Sequence, residues 1–355
     1  MMKRSQTQRR SAAVCFRQGL GVLIMVASGP FFSGCDQIVL DENPGITPRE
    51  NFEYLWKECN DKYAFFEYKG IDWDEVYRRY SPKVSNGINQ DSLFKVLFAM
   101  LNELRDGHVN LIAPFNVSRF EISLLGPENI SERLVLEKYL KSDYYDTGPF
   151  KHNFIADGQV GYIRYPSFSG SVGDFDLNFM LYRYRNTKGL VLDLRQNGGG
   201  NANNVLKILN RFASQRTLVY ESYLKNGPGR EDFSAPSPAY AIPPSSKDML
   251  RYSRRVAVLT DRGTFSAASF FTLGSMALPN MIRIGDVTGG GLGIPNGGQL
   301  PIGWTYRLSV SRTLSPDGSN YENGIPPDIR VLLNPKDVEK GVDTVIERAV
   351  EELLR

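Results

Sequence analysis

Apolar residues recur at helical spacing between positions 48 and 64, where Phe52, Leu55, Trp56, Cys59 and Tyr63 fall on one face. A second helix is expected in "DWDEVYRRY". The clearest spans 91–105, where Leu93, Val96, Leu97, Met100, Leu101 and Leu104 form a stripe that other helices must cover. Past Arg105 the pattern shortens to strands: "VNLIA", then a hairpin in "NFIADGQVGYIRY" turning at Asp157 and Gly158. A helix in "VGDFDLNFMLYRYRN", a buried strand in "GLVLDLR" and a helix in "ANNVLKILNRFA" follow. The unit repeats as strand "RVAVLTD", loop "RGTF" and helix "SAASFFTLGSMA". Strands alternating with helices predict an α/β domain around a mostly parallel sheet, preceded by a small helical domain. Residues 226–248, rich in Pro, Ser and Gly, read as a long surface loop, and "DVEKGVDTVIERAVEELLR" as one terminal amphipathic helix.

Composition narrows the class. The 355 residues are 41% apolar and 23% charged, as in an ordinary globular chain, and the net charge is only +3. Five basic residues lie within the first seventeen, so the remainder is near neutral and carries no electrostatic footprint for nucleic acid. Those basic residues precede "GLGVLIMVASGPFF", too short and too interrupted by Gly and Pro to span a bilayer, which reads as a secretory signal over residues 1–34. Small residues before Cys35 resemble a bacterial lipobox, with Phe32 where Leu is usual. Lipidation is therefore expected at Cys35, with 35–47 as a tether to the membrane; an ordinary signal peptide cut nearby is the alternative. Cys59 is then the one thiol left and is expected in the core.

Chemistry concentrates at "RGTFSAASFF". A strand, a sharp turn and a helix would expose Ser266 where unpaired amides and the helix dipole favour negative charge, with the Ala267 amide beside it as an oxyanion donor. On local sequence alone a mere helix cap is the favoured reading of Ser266. "NGGGN" follows a buried strand and would present backbone amides, yet it lacks the Lys and spacing of a nucleotide loop. "TGGGLG" at 288–293 reads as a mobile loop. A serine nucleophile needs a base, and the histidines are His108, in "LRDGHVNL", and His152, in a polar context. Between Ser266 and Asn334 there is no lysine and one glutamate, Glu322, which points to an imidazole base.

Together "LRDGHVNL", "GLVLDLRQNGGGN", "VLTDRGTFSAASFF" and "ENGIPPDIRV" resemble, in order, the motifs of the S41 serine peptidases, which include the C-terminal processing proteases and the tricorn core protease. The resemblance runs from about residue 48 to the end. It implies a ClpP/crotonase-like core at 108–355 after a helical domain at 48–107, Ser266 as nucleophile, and the amides of Gly198, Gly199 and Ala267 as oxyanion hole. The processing proteases' lysine is replaced here by "VTGGGLG". The chain is thus similar to the tricorn-like branch, with His108 as base and Glu322 supporting it; Gly107 stands where tricorn has an assisting serine. About forty residues separate "HVNLIA" from "NFIADGQVGYI", too few for a PDZ domain. The implied protein is a lipid-anchored cell-envelope endopeptidase, acting on peptides or proteins without metal or cofactor. A non-catalytic ligand- or peptide-binding protein on the same fold is the alternative.

Overall fold

The computed structural model describes residues 46–355, so the expected signal segment, Cys35 and most of the tether lie outside the described residues. The described residues belong to one compact unit. The helix Pro48–Lys62 starts at a capping box between Thr47 and Glu50 with Pro48 in its first turn, and the helices Trp73–Tyr80 and Gln90–Asn102 follow. Their apolar faces do not close on each other alone. Phe52, Leu55, Cys59, Leu97 and Met100 share a core with Leu111, Tyr306 and Leu308, which belong to a four-stranded antiparallel sheet. The apolar stripe at 91–105 is therefore covered partly by a sheet. Cys59 is fully buried, as its helical position predicts.

The central sheet has seven strands in the order Ile329–Arg330, Met281–Gly285, Arg255–Thr260, Gly189–Asp193, Val160–Arg164, Phe150–Ile155, Tyr145–Thr147. The first five are parallel; the last two add as an antiparallel edge. Both faces are covered, which explains the unbroken apolar runs. Leu190, Leu192, Val256 and Val258 face a core shared with the helices Asp174–Arg183, Asn203–Leu209 and Ala267–Met276. Val191, Ala257 and Leu259 face the opposite core, closed by the helix Thr344–Leu354. This is the mixed α/β fold expected, with a helical N-terminal region, and no PDZ domain is found among the described residues.

Three local expectations need correction. Residues 226–248 are not all loop: Ser237–Ala241 pairs with Thr217–Leu224 at the rim of a three-stranded sheet, where Pro238 is tolerated because an edge leaves one side unpaired. The terminal amphipathic segment is two helices, Pro335–Glu339 and Thr344–Leu354, broken at Gly341 with φ +78° and restarted by the Asp343 cap. Residues 288–293 are buried rather than mobile; a Cβ on Gly290 would strike the Glu322 backbone and one on Gly291 the Phe265 ring.

Candidate active site

The strands Gly189–Asp193 and Arg255–Thr260 are neighbours and parallel, so the loops leaving their C-terminal ends meet in the position where open α/β sheets bind ligands. Asp261 ties the two loops together: it accepts from the Gln196 amide and side chain at 2.8 Å each, and from the Gly263 amide at 3.0 Å. The Phe265 amide donates to the Asn197 carbonyl at 2.9 Å. Ser266 sits at the resulting corner with φ 56° and ψ −123°, a conformation that costs a non-glycine residue about 1–3 kcal/mol. Its side chain makes no capping bond to the following helix. The hydroxyl instead meets His108 Nε2 at 2.9 Å.

Gly199 has φ +95°, and a Cβ there would lie 2.7 Å from Ser266 Cβ and 2.8 Å from the Phe265 carbonyl, so only glycine lets this loop rest against the serine. Among the described residues no acceptor is found for the amides of Gly198 or Ala267, which remain available to a ligand. The Gly199 amide is different: it donates to Asn197 Oδ1 at 3.0 Å.

His108 follows a turn closed by its own amide donating to Asp106 Oδ1 at 2.8 Å. The ring is buried and lies 4.7 Å, centroid to centroid, from Phe265. Burial holds the imidazole below its ordinary pKa; Asp106 pulls it back up, and Arg307 and Lys69 push it further down. With Nε2 accepting from the serine hydroxyl, Nδ1 carries the ring proton. That atom is buried, and although the Gly293 carbonyl faces the ring, no group among the described residues meets Nδ1 with hydrogen-bond geometry. Gly107 leaves no room for a side chain, since a Cβ would lie 2.9 Å from Ile122 and 3.0 Å from Phe265.

Glu322 is buried, and among the described residues no hydrogen bond joins it to the imidazole. Its Oε2 accepts from the amides of Leu292 at 2.6 Å and Gly293 at 3.0 Å. Burial, reinforced by repulsion from Asp106, pushes its pKa up to about 8, against the pull of Lys69 and those two amides. Asp106 is equally buried, but the Lys69 ammonium, 3.7 Å away, and His108 overcome that burial and hold it below the usual carboxylate range. Of the two acids, the neighbouring lysine favours the charged form of Asp106, and burial favours the protonated form of Glu322.

The structure thus brings Ser266, His108, Gly198, Gly199 and Ala267 to one corner and leaves Glu322 one peptide segment away. Sequence reasoning missed Lys69, Asp106 and Tyr63, whose hydroxyl donates to Asp106 at 3.0 Å. Asp106 stood in plain view two residues before the histidine; nothing local tied Lys69 to it. The second histidine, His152, is buried between Thr147 and Tyr184, and its pKa is lowered to about 4 by burial and Arg183.

Residues 159–331 match the model of peptidase family S41, and residues 45–102 that of the tricorn protease C1 domain. A solved structure of a putative peptidase from Parabacteroides merdae ATCC 43184 is 39% identical, with a TM-score of 0.84 over 88% of this chain and 98% of that one. The carboxy-terminal processing proteases CtpB and CtpA of Bacillus subtilis strain 168 are each 26% identical, over 48% and 53% of this chain. Those matches span 34% and 39% of the two curated relatives' own length.

Proposed function

The chain belongs to peptidase family S41, and on that premise we propose that it is a serine endopeptidase cleaving peptide bonds of proteins or peptides through an acyl-enzyme. Ser266 Oγ attacks the scissile carbonyl carbon as its proton passes to His108 Nε2. The imidazolium then protonates the departing amine as the C–N bond breaks, and a water repeats the sequence to release the acid. The amides of Gly198 and Ala267 receive the oxyanion, each contributing on the order of 3 kcal/mol. Gly199 could join them only by giving up its bond to Asn197.

Glu322 acts as a positioning residue. It holds the Leu292 and Gly293 amides, and the Gly293 carbonyl in turn faces the imidazole. The charge that favours imidazolium comes chiefly from Asp106. The basic N-terminal residues, the apolar run and the small residues before Cys35 support export and lipid attachment at that cysteine. Incorporation of labelled palmitate that is lost in Cys35→Ser is the expected result; an unmodified Cys35 would contradict it.

The observation that carries the reading is the 2.9 Å contact between Ser266 Oγ and His108 Nε2 at a strained corner whose serine caps nothing. A fluorophosphonate should modify Ser266, identified by mass spectrometry, and Ser266→Ala should remain folded but neither label nor cleave. Cleavage by that variant would sink the assignment. Binding of peptide with no covalent labelling would instead indicate a non-catalytic receptor.

A further inference from the structure

The strand Asn110–Ala113, which leaves His108, pairs antiparallel with Thr305–Ser309 in the register Asn110 to Arg307, Leu111 to Tyr306 and Ile112 to Thr305. Residues directly opposite point to the same side of a sheet. Leu111, Ala113, Tyr306 and Leu308 enter the helical core, so Asn110, Ile112 and Arg307 must face the other way. They line a cleft of about 520 Å³ that extends to Gly198 and Phe265, directly beside the nucleophile corner.

The charge of this cleft is one-sided. Arg119, Arg262 and Arg307 line it against one acid, Glu121. Among the described residues, none of the three arginines forms an ion pair. Arg262 donates only to the carbonyls of Thr288 and Asn323. Elsewhere, buried Arg195 and Arg211 are each matched by a carboxylate at 2.6 and 2.9 Å. Phe120, Ile122 and Val117 supply apolar wall between the guanidinium groups.

Guanidinium groups pair with carboxylates through planar, bidentate hydrogen bonds, and a cleft beside a reactive serine is where substrate side chains must lie. We propose that this cleft is an anion-recognising subsite, selecting peptides that present a carboxylate next to an apolar side chain close to the bond cleaved. The inference rests on the peptidase reading above. Arg307 also contributes to lowering the His108 pKa, in keeping with its place on the strand opposite Asn110. The carboxylate can come from an Asp or Glu side chain or from a chain terminus, and the recognition chemistry is the same.

The test uses matched peptide sets built on one cleavable apolar sequence: Asp against Asn and Glu against Gln near the scissile bond, each with a free or an amidated C-terminus. The acidic member is expected to have a kcat/KM at least tenfold higher, mainly through KM, with the ratio shrinking in 1 M salt, where the Debye length falls to about 3 Å. A ratio carried by the Asp/Asn and Glu/Gln pairs assigns a side chain as source; one carried by the free and amidated pair assigns the terminus. In the double variant Arg119→Gln, Arg307→Gln the ratio should collapse toward one. Binding of the same peptides to Ser266→Ala, followed by fluorescence anisotropy, reads the preference without turnover, and Arg119→Gln alone provides a variant outside the strand pairing. Equal kinetics and equal binding for acidic and neutral peptides, in protein whose Ser266 is labelled by fluorophosphonate, would overturn the subsite while leaving the peptidase intact. A ratio that persists in the double variant would overturn it as well. Absent labelling and absent cleavage would strike the peptidase reading instead.

Discussion

At the scale of single residues, the proposed base, His108, is governed by opposed charges. His108 lies below its ordinary pKa of 6.5 because it is buried, so a neutral imidazole remains available below that pH. The acid limb of an activity that needs the neutral ring should therefore lie below pH 6.5. Asp106 raises the His108 pKa and Arg307 lowers it, which makes two substitutions diverge. Asp106→Asn should move the acid limb of kcat/KM to lower pH and Arg307→Gln to higher pH, each by a fraction of a unit to about one unit, as for a neighbouring charge partly screened by solvent. Profiles that shift the same way, or not at all, would remove Asp106 and Arg307 from the electrostatics of the base. Much of this corner was legible in the sequence because Ser266 and His108 each lie in a motif whose small or turn-forming neighbours announce an exposed side chain. Asp106 stands in the His108 motif, but its role was not legible, because it acts through a backbone amide and through the distant Lys69, and sequence spacing records neither.

At the scale of elements, the site depends on two loops at adjacent strand ends being pressed together, and Gly199 is where they touch. Gly199→Ala places a methyl where Ser266 Cβ and the Phe265 carbonyl already stand, at a φ of +95°, so the loop must withdraw. Loss of kcat/KM by at least a hundredfold, with a drop of about 1–3 kcal/mol in stability from the strained backbone, is expected. Gly198→Ala is the informative neighbour, because a Cβ there meets nothing within 4 Å and the amide is retained. Its effect should be far smaller, and equal losses in the two variants would mean that the loop is not held against the serine. The buried strands were readable because a sheet covered on both faces shows continuous apolar runs. The strand Ser237–Ala241 was hidden by Pro238, and the break at Gly341 by an amphipathic pattern that continues across it. The run 288–293 looked mobile because glycine signals both freedom and tight packing, and here the neighbouring Glu322 backbone and Phe265 ring decide in favour of packing.

At the scale of the whole molecule, the site joins chain segments from both ends of the compact unit: Lys69 and Asp106 from the helical part, Glu322 from near the last strand of the central sheet. Their mutual burial makes fold stability depend on pH. Glu322 has an ordinary pKa of 4.5 and a folded value pushed up to about 8, so the folded state favours its protonated form. The stabilisation is full below pH 4.5 and is lost as pH rises through 8. His108 contributes in the opposite sense and only below its ordinary value of 6.5, so the interval from 6.5 to 8 isolates the glutamate. Glu322→Gln keeps the shape and the acceptor for the Leu292 and Gly293 amides but cannot ionise. Across that interval the wild type should lose on the order of 1–2 kcal/mol of unfolding free energy relative to the variant, measured by urea denaturation. Above pH 8 the two curves should run parallel. Identical slopes throughout would place the proton elsewhere and make Glu322 a charged partner of Lys69, in which case the glutamine variant would be the less stable protein at every pH above 4.5.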